Sequence, residues 1–399
     1  MRLIYKIFVR LKQSKFVFFS FQVLFGLVSL LPKKKDLIIF ESFLGKQYSD
    51  NPRAIYEYLM AHNKDFDMIW SVNKHSVKKF EQYGIPHLRR LSFRWFLTVP
   101  RASYWVSNSR FPSWMRKGKG TTYLQTWHGT PLKKLGIDIN EVKMYKINTK
   151  QYRQSFIQEA EKWDYLISPN SYSTEIFKRA FGFNGEMIES GYPRNDQLFI
   201  RNKPEVIREL KQKMGIPSDK KVILYAPTWR DNQHLPTGGY RLELELDLER
   251  MQVELGDKYV VLLRLHYLIS ERIDISKYEG FAYNMSNYDD IGDLYLISDM
   301  LITDYSSVFF DYAILNRPIL FYVYDIEDYR EDIRGFYFEL ENEAPGPLLL
   351  STDAVIETIF EIDKGVYKVD EKYARFQSRF TKWEDGKATS RVVKKVFNV

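Results

Sequence analysis

Two hydrophobic patterns divide the chain. Residues 1–35 carry apolar positions at helical spacing or in one long run, whereas from residue 36 short apolar runs alternate with amphipathic stretches. The short runs read as buried strands: Leu37–Phe40, Phe66–Ser71, Tyr104–Ser107, Thr122–Thr126, Tyr165–Ser168 and Met187–Ser190, then Val222–Ala226, Tyr259–Leu265, Met300–Thr303 and Ile319–Val323. Between them, Asp50-Asn51-Pro52 opens a helix running to Ala61, since Pro suits a first helical turn. Ser171–Phe181 and Ser306–Asn316 read as further helices. Apolar strands alternating with helices predict an α/β fold with parallel sheets covered on both faces. At 399 residues, two such domains are expected rather than one. The polar stretch Arg201–Lys221, holding Pro204 and Pro217, reads as their join, so the chain divides into 1–35, 36–200 and 201–399. Ligands of such sheets sit beyond the carboxyl ends of the strands, which places the expected chemistry in a cleft between the domains.

The first segment has its own physics. Leu3, Ile4, Ile7, Phe8 and Leu11 fall on one side of a helix and Arg2, Lys6 and Arg10 on the other, a basic amphipathic pattern suited to lipid headgroups. Phe16–Leu31 follows without a charge and is closed by Pro32 and Lys33–Lys35. As a helix it would span about 24 Å, short of the ~30 Å hydrocarbon core. Monotopic attachment to the cytoplasmic leaflet, whose anionic lipid attracts Lys and Arg, is the expectation. A short signal anchor and simple packing of 16–31 on the folded body are the competing readings.

Charge supports the division. Lys and Arg outnumber Asp and Glu 59 to 51, and the eight cations of residues 1–35 (Arg2, Lys6, Arg10, Lys12, Lys15, Lys33, Lys34 and Lys35) account for the whole excess. A nucleic-acid binder would spread a basic face over its folded body, so no nucleic-acid partner is expected; a membrane surface is. There is no Cys, which removes disulfides, thiolate metal sites and cysteine nucleophiles. No Walker loop is present, because Phe40 stands where Gly45-Lys46 would need a glycine, and no GxGxxG occurs. The six histidines are isolated from one another, and no metal-ligand spacing joins them.

Polar residues at strand ends carry the chemistry. The strand from Thr122 runs into Trp127-His128-Gly129-Thr130-Pro131, so His128 stands at a carboxyl end beside a glycine that lets backbone approach a ligand. An imidazole there suits a general base near neutral pH, or an ordinary hydrogen-bonded turn. Tyr225-Ala226-Pro227-Thr228-Trp229-Arg230 leaves Thr228 and Arg230 at another strand tip, and Arg264 and His266, two apart on a strand, point to one side. A cation and an imidazole on one side of a strand suit a phosphate, although an Arg paired with a carboxylate is commoner. Ser306 and Ser307 fall at a helix start, where free N–H groups favour an anion, with Asp311 one turn on; plain capping is the everyday alternative. Gly191–Asp196 forms a turn that puts Arg194 near the junction, where a solvated Arg is the default. Together these residues would face one cleft from both sides, as a diphosphate-bearing ligand requires.

In this order and combination the motifs resemble those of the CDP-glycerol glycerophosphotransferases, which build wall teichoic acid in Gram-positive bacteria. They are Thr-Trp-His-Gly-Thr-Pro-Leu-Lys-Lys-Leu-Gly (126–136), Gly-Tyr-Pro-Arg-Asn-Asp (191–196), Tyr-Ala-Pro-Thr-Trp-Arg (225–230), Arg-Leu-His (264–266) and Thr-Asp-Tyr-Ser-Ser-Val-Phe-Phe-Asp (303–311). The likeness extends over about 37–396, including Asp385-Gly386-Lys387 and Arg391-Val392-Val393. It implies a GT-B-like fold of two Rossmann-like domains facing a cleft, an acceptor-side first domain and a nucleotide-binding second one. It also implies donor contacts at Trp127, His128, Gly129, Thr130, Pro131, Arg194, Pro227, Thr228, Arg264, Leu265, His266, Ser306, Ser307 and Asp311.

The reaction implied is transfer of glycerol phosphate from CDP-glycerol to a hydroxyl of a polyprenyl-diphosphate-linked acceptor, releasing CMP at the cytoplasmic side of the membrane. His128 would be the base, with Arg264, His266 and the Ser306/Ser307 helix start stabilising charge on the diphosphate. Arg194 would hold a phosphate across the cleft, and Asp311 would accept from a sugar hydroxyl or orient a cation. No cofactor and no metal are expected. A CDP-ribitol donor, a sugar-nucleotide transferase and a silent membrane scaffold of the same fold are the alternatives.

Overall fold

A computed structural model describes residues 15–62, 65–141, 148–228, 244–265, 273–327, 335–367 and 369–399. The basic helix expected over Leu3–Leu11, Arg230 and His266 lie outside these residues. The first sheet comprises β1 (Lys34–Glu41), β2 (Asp67–Val72), β3 (His87–Arg89), β4 (Ala102–Ser107), β5 (Thr122–Gln125), β6 (Tyr165–Ser168) and β7 (Glu186–Glu189). The second comprises β8 (Lys221–Ala226), β9 (Tyr259–Leu263), β10 (Ala282–Asn284), β11 (Met300–Thr303), β12 (Ile319–Tyr322) and β13 (Leu348–Leu349). Strand order is β3-β2-β1-β4-β5-β6-β7 in one and β10-β9-β8-β11-β12-β13 in the other, and every pairing is parallel. Both are the doubly wound order of a Rossmann sheet, whose direction of growth reverses between β1 and β4, and between β8 and β11.

The ten expected strands are all present. The three shortest, β3, β10 and β13, were not expected, because two or three residues offer no apolar run to read. Burial on both faces explains why the central strands are apolar throughout. In β8, Val222, Leu224 and Ala226 enter one core while Ile223 and Tyr225 enter the other.

Helices cover these faces. Those used below are α1 (Lys15–Ser29), α2 (Asp50–His62), α3 (Phe93–Thr98), α4 (Ser171–Phe181), α5 (Pro204–Lys213), α6 (Val308–Tyr312) and α7 (Ala388–Phe397). The helix expected over Ser306–Asn316 divides into α6 and a 3-10 turn, Ala313–Leu315, that ends on left-handed Asn316. The polar join contains α5, which buries Leu210 in the second domain. Helix α7 crosses back and places Val392, Val393, Val396 and Phe397 in the core of the first sheet with Ile38, Phe40 and Tyr56.

Helix α1 packs and protrudes at once. Phe25 is fully buried among Trp95, Trp105 and Trp114, with ring centroids 5.8–6.0 Å away. On its outer side Phe19 and Leu27 are exposed, followed by Leu30 at 81% exposure and flanked by Phe93 at 74% on the neighbouring α3. No helix among the described residues is long and apolar enough to cross a membrane.

Candidate active site

A cavity of about 620 Å³ lies where the carboxyl ends of the two sheets face each other. From the first domain it is lined by Phe43, after β1, and by Trp127, His128, Gly129, Thr130 and Pro131, after β5. From the second it is lined by Pro227 and Thr228, after β8, by Arg264 and Leu265, after β9, and by Ser306 and Ser307, after β11. Eleven of the fourteen residues singled out from sequence therefore border one space. Arg194 and Asp311 lie apart from it, and His266 lies outside the described residues.

His128 is the group best placed for proton transfer. Its Nδ1 is 2.7 Å from the Asn108 carbonyl oxygen. A carbonyl only accepts, so Nδ1 carries the proton and the neutral ring keeps its lone pair on Nε2. The Trp127 ring stacks on the imidazole at 4.7 Å and 25°, and the Phe43 ring meets it edge-on at 5.6 Å. The residue is exposed to the cleft but walled by protein, and that desolvation lowers its pKa; Asp50 and the Asn108 carbonyl oppose the shift, and Arg194 adds to it. The ring is thus held neutral near pH 7, the state a base requires.

The backbone around it is strained. Trp127 (φ 51°), Phe43 (φ 45°) and Leu44 (φ 60°) are left-handed without being glycine, each costing on the order of 1–3 kcal/mol. Asn51 holds the Trp127 carbonyl through Nδ2 at 3.2 Å, and Gln125 Oε1 accepts from the Trp127 N–H at 3.0 Å. Gly129 is required by close approach of the other domain, because a Cβ there would sit 2.9 Å from Ser307 Oγ.

In the second domain, Asp304 accepts from the Thr228 N–H at 2.8 Å and so joins the ends of β8 and β11. Ser307 makes no side-chain cap to α6; its hydroxyl faces Gly129. Strand β9 stops at Leu263, so Arg264 is not on an extended strand as expected. One of its terminal nitrogens donates to the Met285, Ser286 and Tyr288 carbonyls, fixing that loop while the residue still borders the cavity.

Arg194 is not a solvated cation. It donates to Asp50 Oδ2 at 2.9 Å and to Asp311 Oδ2 at 2.7 Å, linking the two domains, with its guanidinium 4.7 Å from the Tyr192 ring. Burial alone would lower its pKa, but Asp311 and Asp50 outweigh it and hold the charge. Across the cleft, Lys133 pairs with Phe336 in an antiparallel bridge, and the Tyr337 N–H donates to the Leu132 carbonyl at 2.9 Å. The two contacts set the spacing of the domains at which Gly129 meets Ser307.

Phe43, Asp50, Asn51 and Asn108 belong to no motif and were missed. Asn108 stands one residue past the strand Tyr104–Ser107, and the rule that pointed to His128, a polar group just beyond a strand's carboxyl end, would have reached it too. Among the described residues, no group of three His, Asp or Glu is arranged to hold a metal ion.

This doubly wound pair, with an imidazole facing hydroxyls across a closed cleft, has close relatives. The chain is 54% identical over 385 residues to the teichoic acid poly(glycerol phosphate) polymerase of Bacillus subtilis (strain 168), covering 96% of this chain and 52% of that protein. It is 48% identical over 386 residues to the teichoic acid glycerol-phosphate transferase of Staphylococcus aureus (strain NCTC 8325 / PS 47), covering 96% and 98%. The solved structure of the wall teichoic acid polymerase TagF superposes with a TM-score of 0.87 at 41% identity, covering 99% of this chain and 97% of that one. The family model for CDP-glycerol:poly(glycerophosphate) glycerophosphotransferase matches residues 23–398, from within α1 to just past the end of α7, and the chain belongs to that family.

Proposed function

We propose that the chain transfers glycerol phosphate from CDP-glycerol to a hydroxyl of a lipid-linked teichoic acid precursor, with His128 as general base. The acceptor oxygen attacks the glycerol-bearing phosphorus while Nε2 takes its proton. The bond from that phosphorus to the bridging oxygen breaks, and CMP leaves with the oxygen. Such a transfer needs alignment and charge neutralisation more than covalent chemistry from the protein. Thr228, Ser306, Ser307 and Arg264 line the opposite wall, where the diphosphate would lie, with His266 assigned to the same role by its motif. The observation carrying the reading is the Nδ1-protonated His128, whose lone pair remains on Nε2 at a cavity shared by both domains.

Arg194 and Asp311 are reassigned from donor contacts to positioning of the domains, since each already binds the other. The enzyme would work on the cytoplasmic face of the membrane. In support, Phe19 and Leu27 of α1 and Leu30 just beyond it turn outward, an apolar stripe followed by the exposed Lys34 and Lys35, while Lys33 is drawn into the protein by the Pro100 carbonyl and the Thr121 hydroxyl.

The test is CMP release by purified protein given CDP-glycerol or CDP-ribitol with a lipid-linked precursor. Release with CDP-glycerol is expected, and His128→Asn should lower turnover by roughly 10²–10⁴-fold while CDP-glycerol still binds. Release with CDP-ribitol alone would overturn the donor, and full turnover by the variant would overturn the base. Product length on the same samples separates a single addition from polymerisation.

A further inference from the structure

We infer that Asn108 is a positioning residue whose side chain holds the peptide that fixes the His128 tautomer. The inference rests on the reading of His128 as the base. Asn108 follows β4 and is fully buried beside the cleft. Its carbonyl accepts the His128 Nδ1–H at 2.7 Å. Its side chain uses both ends of the amide: Oδ1 accepts from the Phe43 N–H at 2.8 Å and the Ser109 hydroxyl at 3.0 Å, while Nδ2 donates to Ser42 Oγ at 3.2 Å.

These bonds act on the base from two directions. They fix the plane of the 108–109 peptide and hence the aim of the carbonyl. They also hold Phe43 at φ 45°, the conformation in which its ring meets His128 at 5.6 Å. A neutral imidazole released from this carbonyl can shift its proton to Nε2, and the nitrogen facing the cavity then becomes a donor that can take no proton. A residue that only orients a histidine can thus change turnover greatly through the tautomer it selects.

The experiment compares wild type, Asn108→Ala, Asn108→Asp, Ser42→Ala and His128→Asn. Each is ¹⁵N-histidine labelled for NMR and assayed for kcat and for KM toward CDP-glycerol. Six histidines give a tractable spectrum, and loss of one signal in His128→Asn assigns His128. In wild type, His128 should show a protonated Nδ1 and a bare Nε2. Asn108→Ala should shift the proton toward Nε2 and lower kcat about tenfold or more, with KM for CDP-glycerol little changed. Asn108→Asp keeps the acceptor for Phe43, and the Ser42 hydroxyl can turn to donate to its second oxygen, so its tautomer should stay near wild type; Ser42→Ala, which removes only the Nδ2 contact, should shift the tautomer in part and carries the test if Asn108→Ala does not fold.

A wild-type tautomer with wild-type kcat in Asn108→Ala, or in Ser42→Ala where that variant carries the test, would overturn the proposal. So would a reversed tautomer with unchanged kcat, or a defect confined to KM. Full turnover by His128→Asn would instead defeat the base reading, and the tautomer measurement would still decide what Asn108 orients.

Discussion

Glu384 ties the returning chain to the turn that follows β7. It sits where the chain returns to the first domain ahead of α7, is 9% exposed, and accepts through Oε1 from the Tyr192 N–H at 3.0 Å and Asn195 Nδ2 at 3.1 Å. Its Oε2 is buried without a hydrogen-bond partner. Burial is the main cause that pushes its pKa from 4.5 up to about 8, with Asp311 and Asp196 adding to it against the two donated bonds. Between those values the folded protein holds a proton that the unfolded chain has released. Stability from this group is therefore complete below pH 4.5 and declines as pH rises, levelling near pH 8. At 1.36 kcal/mol per pH unit, the loss at pH 7 has a ceiling of about 3 kcal/mol, and above pH 8 of about 5 kcal/mol. Glutamine keeps the accepting oxygen and carries no proton to lose. Glu384→Gln should thus match wild type near pH 4.5 and become progressively more stable toward pH 8.5. The assay is urea denaturation of both proteins at several pH values, read as the midpoint, which needs no two-state assumption for a two-domain chain. Midpoints that run parallel across the range would refute the elevated pKa. A Gln variant less stable than wild type at pH 8.5 would show that the carboxylate is the favoured form.

The domain contacts and α1 have consequences of their own. Asp311→Ala leaves Arg194 with one of its two carboxylates and should cost about 3–5 kcal/mol, seen as a lower thermal midpoint; an unchanged midpoint would refute the link. Gly129→Ala places a methyl 2.9 Å from Ser307 Oγ and should lower kcat/KM with little change in overall stability, part of which Ser307→Gly should restore; wild-type kcat/KM would show that the cleft need not close this far. Replacing exposed Phe19, Leu27 and Leu30 with Ser should reduce sedimentation with anionic vesicles by tenfold or more, at roughly 1.5–3 kcal/mol per inserted side chain, without lowering the melting temperature. Undiminished sedimentation would remove the stripe from the membrane contact. Deleting residues 1–31 is a poorer test, because it also takes Phe25 out of the tryptophan core.

What could be read from sequence was what short-range physics dictates. A strand buried on both faces must be apolar along its length, so the ten longer strands stood out, and parallel strands gather the polar residues at their carboxyl ends along one edge of each sheet; the packing of the two domains then turns these edges toward each other. That is why Trp127 to Pro131, Pro227, Thr228, Arg264, Leu265, Ser306 and Ser307 border one space. Arg194 and Asp311 were singled out as well, yet their use depends on a partner 144 residues away from Arg194, Asp50, which appears in the sequence only as a helix opener. The strand-end rule reaches the position of Asn108, but the same limit hid its role. Its side chain bonds backbone and hydroxyl groups 65 and 66 residues distant, and neither its type nor its spacing signals that. Residues that touch a ligand are constrained by the ligand's chemistry and fall into short motifs. Residues that set the direction of those side chains are constrained by the packing of separate strands, so their role becomes visible only when the sheet order is known. Here the order places the ends of β1, β4 and β5 side by side, and it is this adjacency that turns an isolated Asn into a support for an isolated His.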